Sequence, residues 1–306
     1  MTRHLITGAQ GLVGRHLVAR ILASDPAAMV LGLGRSTRKD RLSADGRYRY
    51  EAVALGDAEP LRACIAEFRP DCVFHLASAL HSAPQQELEA TNIEGTASLL
   101  RALEGSDARI VLASSASVYG HPQRLPIDEA HPCAPVNQYG STKLAAERLA
   151  LRHAGDVVVA RIFTVVRPGQ PEDHVCGRLA AQLASREAGA RCTLAVGPLA
   201  PTRDFIDVRD VAAALRLVAD RAAPGSAVNV ASGVEVSIRD VLGALVRIAN
   251  VEVRLVEQGE VAAGVARCVA DVNRLRQLGF ESMYRLEQSL RDLLEWYRQP
   301  RDHRGV

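Results

Sequence analysis

The 306-residue chain is 48% hydrophobic and 24% charged, an ordinary globular composition that allows one large domain or two modest ones with a sizeable core. A formal net charge of +2 argues against nucleic acid or a membrane surface as partner, and no apolar run is long enough to span a bilayer. Six cysteines, at 64, 72, 133, 176, 192 and 268, form no close pair suited to metal or redox exchange, so no metal is expected; Cys64, Cys72 and Cys268 read as small buried hydrophobes.

Arg3-His4-Leu5-Ile6-Thr7-Gly8 opens directly into a strand pattern, with no room for a signal peptide, and the expected location is cytoplasmic. Candidate strands follow at 3–7, 29–33, 50–54, 72–76, 109–113 and 156–161, alternating with helical patterns. Between the first two, Leu12, Val13, Leu17, Val18, Ile21 and Leu22 share one helical face, and Asp25-Pro26 ends that helix. The next crossover starts at Asp57, a candidate N-cap with Pro60 in the first turn, and ends at Arg69-Pro70-Asp71. After residue 167 the rhythm changes. Pro168-Gly169-Gln170-Pro171 precedes a helix at about 174–188, a Pro/Gly-rich stretch at 197–201, and a run at 205–220 that reads as helix. A buried strand at 227–230, a helix near 237–249, a strand near 251–256 and an amphipathic helix near 286–298 complete the pattern. The expected fold class is α/β: a doubly wound parallel sheet of Rossmann type with a smaller, interleaved C-terminal α/β substrate domain. Residues 1–167 with about 204–232 would bind a dinucleotide, and 168–203 with 233–306 a substrate.

Thr7-Gly8-Ala9-Gln10-Gly11-Leu12-Val13-Gly14 lies between the first strand and the first helix. Glycines there let the backbone turn tightly and approach a pyrophosphate at the helix N-terminus, so Gly8, Gln10, Gly11, Leu12, Val13 and Gly14 are candidate cofactor contacts. The second strand ends in Gly34-Arg35-Ser36-Thr37-Arg38-Lys39. An NAD site normally places an acid where Gly34 stands, to hold the ribose 2′-hydroxyl; a guanidinium such as Arg35 suits a 2′-phosphate, which favours NADP(H) and leaves NAD(H) possible. The alternative is a solvated basic loop.

Tyr139-Gly140-Ser141-Thr142-Lys143 puts a phenol and an ammonium on one helical face. The chain has only two lysines, Lys39 and Lys143. A cation beside a tyrosine lowers its pKa from about 10 toward neutrality, which makes the phenol a usable proton donor or acceptor. Upstream, the strand Ile110-Val111-Leu112-Ala113 runs into Ser114-Ser115-Ala116-Ser117-Val118-Tyr119-Gly120. A serine at a strand's C-terminal end can hydrogen-bond the oxygen that the tyrosine protonates; the alternative is a turn or cap.

At these residues the chain resembles the extended short-chain dehydrogenase/reductases over nearly its whole length. The matching stretches are Thr7 to Gly14, His75-Leu76-Ala77, Asn92-Ile93-Glu94-Gly95-Thr96, Ser114 to Gly120, Tyr139 to Lys143, and Arg203-Asp204-Phe205-Ile206-Asp207-Val208. The resemblance implies a catalytic triad of Ser115, Tyr139 and Lys143, with Lys143 also on the nicotinamide ribose and Leu76 and Ala77 beside the cofactor. Asn92 would support the site or sit on a helix surface. The second half is most similar to GDP-4-keto-6-deoxy-mannose reductases, in Arg167-Pro168-Gly169-Gln170, Leu179-Ala180-Ala181-Gln182 and Val196-Gly197-Pro198-Leu199 leading to Asp210. By that likeness Arg203 would hold substrate phosphates, or else pair with a nearby acid, and His81 would face substrate. Relatives often dimerise through two helices of the first domain, so a homodimer is expected.

Departures from the family leave the cofactor chemistry intact and alter the grip on a substrate nucleotide. Ala116 and Ser117 stand where sugar-nucleotide dehydratases carry an acidic pair. Thr164 replaces an asparagine beside the phosphates, Ala54 an aspartate beside the adenine, and Val261-Ala262-Ala263-Gly264 an Arg-Pro, with Arg267 a few residues on. The resemblance therefore implies an NAD(P)H-dependent 4-ketoreductase of a nucleotide-linked (deoxy)sugar. The alternatives are a 4-epimerase with tightly bound NAD, a catalytically idle NADP-sensing protein, and a reductase of a non-nucleotide ketone.

Overall fold

The computed structural model describes residues 2–37, 46–258 and 264–300. Seven strands form one wholly parallel sheet: β1 (Arg3–Thr7), β2 (Met29–Gly34), β3 (Tyr48–Ala52), β4 (Cys72–His75), β5 (Arg109–Ser115), β6 (Val157–Ile162) and, later in the chain, β10 (Ala227–Val230). Their order, β10-β6-β5-β4-β1-β2-β3, is doubly wound, and it opens a crevice at the C-terminal ends of β1 and β4. Leu5, Val73 and Val159 point to one face and Ile6, Phe74 and Val158 to the other, so these strands are apolar throughout rather than alternating.

On one face lie α1 (Leu12–Ser24) and α7 (Val208–Arg221), through Leu17, Val18, Ile21, Val211, Leu215 and Val218. On the other lie α2 (Ala58–Phe68), α4 (Gly95–Ala102) and α5 (Gln138–Leu151), through Leu61, Ile65, Leu99, Leu100, Ala146 and Ala150. A short α3 (Gln85–Leu88) runs into α4 through a π-helical turn, Glu89–Glu94, an irregularity of the kind that re-aims side chains near functional sites.

A second core gathers α6 (Val175–Ala184), α8 (Ile238–Ala249) and α10 (Leu286–Arg298). With them stand two small sheets: β7 (Thr164–Val166), β9 (Thr202–Asp207) and β11 (Glu235–Ser237) in one, β8 (Arg191–Val196) and β12 (Glu252–Glu257) in the other. The reading of 205–220 as one helix needs correction, because Thr202–Asp207 is a strand and the helix starts at Val208. Phe205 enters the second core while Ile206 enters the first, an alternation only an extended chain can satisfy. Asp207 then caps α7, its carboxylate accepting from the Arg209 backbone N–H at 2.8 Å. The short helix α9 (Asn273–Gln277) returns to the large sheet, where Leu275 and Phe280 join the first core.

Other local expectations shift modestly. The helix expected at 174–188 stops at Ala184. Asp57 occupies the N-cap position of α2, but its carboxylate accepts from the Ala54 N–H at 3.3 Å instead of capping the helix. Cys72 is buried as expected, whereas Cys64 and Cys268 are half-buried; all six cysteines are free. No helix among the described residues is long and apolar enough to cross a membrane.

Candidate active site

A cleft of about 1370 Å³ runs from the glycine turn after β1 to the inner edge of the second core. A single small ligand occupies roughly 300–1,000 Å³, so this space accommodates a dinucleotide and a second molecule.

At one end the glycine turn forms a cradle. Gly8 has φ +69°, and a Cβ there would lie 2.9 Å from the Ala77 nitrogen; one on Gly14 would lie 2.3 Å from the Gly8 oxygen. The turn is thus packed to a tightness only glycine permits. Gly11 caps α1 without a side-chain hydrogen bond, and the first turn of α1 has no acid, so its N–H groups remain available to an anion. Gly8, Gly11, Leu12, Val13, Gly14, Leu76 and Ala77 all line the cleft. Gln10 lies off that lining, and its buried amide nitrogen has no hydrogen-bond partner among the described residues. The rim is pinned by Thr7, whose hydroxyl accepts from the Ala77 N–H at 3.1 Å and meets His75 Nδ1 at 2.7 Å. Burial holds His75 neutral, its pKa pushed down to about 3, and Nε2 reaches Thr96 at 3.0 Å.

Arg35 lines the cleft at the end of β2 and makes an exposed 3.3 Å ion pair with Glu87. Arg38 and Lys39 lie outside the described residues. At Gly34 a Cβ would meet the Tyr50 hydroxyl at 2.7 Å, and that hydroxyl donates to the Ser36 carbonyl at 3.0 Å. The position of the usual ribose-binding acid is thus taken up by a tyrosine from β3.

In the middle of the cleft stand Ser115, Tyr139 and Lys143. Asn137 starts α5, its side-chain oxygen accepting from the Gly140 N–H at 2.7 Å. A Cβ on Gly140 would sit 2.5 Å from the Ser117 carbonyl oxygen, so the first turn of α5 rests directly on the turn after β5. Tyr139 is thereby held against Ser115, whose oxygen also accepts from the Ser117 N–H at 3.2 Å. Burial raises the Tyr139 pKa, opposed by hydrogen bonding with the Ser115 and Ser78 hydroxyls. Lys143 is not among the groups that shift it, which corrects the expectation of a phenol brought toward neutrality by its lysine. Spacing along a helix sets the direction of two Cα–Cβ bonds, not the separation of two long side-chain ends. Lys143 is itself buried, its pKa lowered to about 8 by desolvation and supported by Glu147 one turn on.

Behind this wall is a charged network that the sequence reading missed. Ser114 donates to Glu147 Oε1 at 2.5 Å, and Arg161 donates to Glu147 through Nε and Nη2, the latter at 2.8 Å. Arg161 also reaches the Tyr119 hydroxyl at 3.1 Å, and Tyr119 donates to Asn229 Oδ1 at 2.6 Å. Glu147 is the polar residue one turn beyond the Tyr/Lys pair on a buried helix face, the one local sign of its place. Asn92 lies off the cleft lining and is buried. Its side-chain oxygen accepts from Ser78 Oγ at 3.0 Å and the Ala79 N–H at 2.9 Å, and its amide donates to Thr142 at 3.0 Å. It ties the loop after β4 to α5; the reading as a helix-surface residue falls.

The far end of the cleft carries His81, Thr164 and Arg203. Arg203 is half-buried, its pKa lowered by desolvation; Nη1 donates to the Thr202 carbonyl at 2.7 Å, and no carboxylate pairs with it among the described residues. Arg267 is instead held bidentate by Glu235, at 2.7 and 2.6 Å, off the lining. Residues 261–263 lie outside the described residues, but Gly264 and Val265 line the cleft. Arg167 also lines it: its Nη groups donate to the Pro168 and Gly169 carbonyls, its Nε is buried without a partner among the described residues, and desolvation lowers its pKa to about 10.

Three likenesses bear on this geometry. The chain is 35% identical to the GDP-6-deoxy-D-mannose reductase of Pseudomonas aeruginosa over 84% of each chain. It is 34% identical to the UDP-glucose 4-epimerase of Mycolicibacterium smegmatis over 78% of this chain and 80% of that one. Among solved structures, RMD from Pseudomonas aeruginosa complexed with NADPH superimposes with a TM-score of 0.83 at 31% identity, covering 97% of this chain and 99% of that one. The family model described as NAD dependent epimerase/dehydratase family matches residues 4–231. Glycine cradle, doubly wound sheet and sequence likeness agree: the chain belongs to the NAD dependent epimerase/dehydratase family, the extended NAD(P)-dependent short-chain dehydrogenase/reductases.

Proposed function

We propose that the protein is an NADPH-dependent 4-ketoreductase of a nucleotide-linked (deoxy)sugar. The observation that carries the reading is the Ser115/Tyr139 pair on the cleft wall, followed on the 116–118 turn by Ala116 and Ser117, neither of which can act as a carboxylate acid or base for dehydration. The glycine cradle with its acid-free helix start fits a dinucleotide pyrophosphate, and Arg35 with no acid at position 34 fits a 2′-phosphate. When bound, NADPH supplies the hydride that adds to the sugar C4 carbonyl carbon. Tyr139 donates its phenolic proton to the carbonyl oxygen, which becomes the product hydroxyl. Ser115 Oγ hydrogen-bonds the same oxygen as negative charge develops there. Lys143 would hydrogen-bond the nicotinamide ribose, while Leu76 and Ala77 would flank the dinucleotide. Arg203, with no carboxylate paired to it among the described residues, holds substrate phosphate; His81 and Thr164 face the sugar side. Residues 1–167 with 204–232 serve the cofactor and most of 168–203 with 233–306 the substrate, except that 273–280 packs on the large sheet.

A second reading, a 4-epimerase, is favoured by the M. smegmatis relative at nearly equal identity. The two are separated by denaturing the purified protein and identifying released nucleotide, then following NADPH absorbance with 4-keto-sugar nucleotides. An empty protein that binds NADPH more tightly than NADH and oxidises it with such a substrate supports the reductase. Stoichiometric bound NAD⁺ with interconversion of C4 epimers would overturn it.

A further inference from the structure

We propose that His81, Asp173 and His174 form a binding site for one divalent transition-metal ion of the zinc class at the mouth of the cleft. Each offers one ligand atom, and the three atoms lie within 4.8 Å of one another. They come from two parts of the chain: His81 from the loop after β4, Asp173 and His174 from the turn leading into α6. The His81 and His174 rings meet edge to face with centroids 5.1 Å apart.

A separate observation points to a missing ligand. Nε2 of His174 is buried and has no hydrogen-bond partner among the described residues; Asp173 Oδ1, at 3.8 Å, is too far for a hydrogen bond. A buried ring nitrogen left without a partner costs free energy unless something coordinates or hydrogen-bonds it. The other Asp173 oxygen accepts from Ser82 Oγ at 3.1 Å, the outer-shell restraint that ligating carboxylates commonly have.

The donor set selects the ligand class. Two imidazoles and one carboxylate suit zinc and its neighbours, whereas magnesium and calcium prefer oxygen ligands throughout. A phosphate or carboxylate would be repelled by Asp173. Ligands at about 2.0–2.1 Å from a tetrahedral ion stand roughly 3.3 Å apart, so the cluster must contract by rotation of side chains. His81 and Asp173 are exposed and free to make that adjustment. Three protein ligands leave a position for water or for an oxygen of a molecule in the cleft. The pairing was invisible to cysteine spacing because its ligands are histidine and aspartate brought together by the fold.

The test uses the full chain, stripped of metal with a chelator and dialysed, then titrated with ZnCl₂ by calorimetry and with Co²⁺ by visible absorption. The expected result is one equivalent bound at micromolar affinity or tighter, weakened at least tenfold by His174→Ala and separately by His81→Ala. Circular dichroism and NADPH binding identify any variant that fails to fold, and the exposed His81 gives the second variant least likely to disturb the core. Absence of saturable binding overturns the proposal. So does binding that survives both histidine substitutions with less than tenfold loss, since the ion then sits elsewhere. Neither readout uses turnover, so a failure here is distinct from a failure of the reductase reading.

Discussion

At Lys143 two effects oppose each other: desolvation disfavours the ammonium, and the Glu147 carboxylate favours it, with desolvation the larger. In the free protein the ammonium is therefore lost as pH rises through about 8. In the proposed reductase Lys143 holds the nicotinamide ribose as an ammonium, so kcat/KM for NADPH should fall above that pH, and Glu147→Gln should move the fall to lower pH; a pH–rate profile of both proteins checks this. Stability follows the opposite slope. The folded pKa lies below the unfolded value of 10.5, so between about 8 and 10.5 the unfolded chain binds more protons, and the penalty for burying Lys143 shrinks as pH rises. Urea denaturation should accordingly show Lys143→Met more stable than the parent at pH 7, with the advantage diminishing above pH 8. Tyr139→Phe removes the proton donor and keeps the ring. It should lower kcat by about 10²–10⁴-fold with little change in Tm.

Among the elements, α5 matters most, because its first turn holds Tyr139 on Ser115 through the Asn137 cap and the Gly140 contact. Asn137→Ala should cost about 1 kcal/mol of stability, read from urea denaturation. Gly140→Ala forces the helix start away from the Ser117 carbonyl, because the nearest atom is backbone and cannot swing aside. That variant should lose far more kcat than Asn137→Ala. The parallel strands and the last helix were legible because each carries a local signal: an apolar run for a strand covered on both faces, a one-sided stripe for Leu286–Arg298. Thr202–Asp207 was not, since its apolar pair Phe205-Ile206 continues into the periodicity of α7, and only two separate cores make the segment extended.

For the whole molecule, the cleft joins a cofactor cradle on the large sheet to residues carried by the second core. A ligand bound only by the folded state stabilises it by about 2.7 kcal/mol at a hundredfold excess over Kd. NADPH should therefore raise Tm at concentrations where NADH does less. Arg35→Ala should remove most of that difference by weakening NADPH about tenfold, the scale of one charge-assisted hydrogen bond, while leaving NADH nearly unchanged. Thermal shift with each nucleotide measures both. Arg203→Ala should raise KM for a nucleotide sugar more than it lowers kcat, since phosphate grip is common to ground and transition states.

Much of this protein was written locally. Glycines at 8, 11 and 14, the Tyr139/Lys143 spacing and the serines after β5 are adjacent in sequence because each belongs to one turn or one helix face. The position of Gln10 outside the lining, the Arg203 bond to the Thr202 carbonyl, and the capture of Arg267 by Glu235 were decided by the tertiary structure. So were the burial of Asn92, the Ser114–Glu147–Arg161–Tyr119–Asn229 chain, and the meeting of His81 with Asp173 and His174. The physical reason is range: periodicity and turn chemistry act over a few residues, whereas desolvation and the pairing of buried polar groups depend on which distant segments the packed cores bring within a few ångströms.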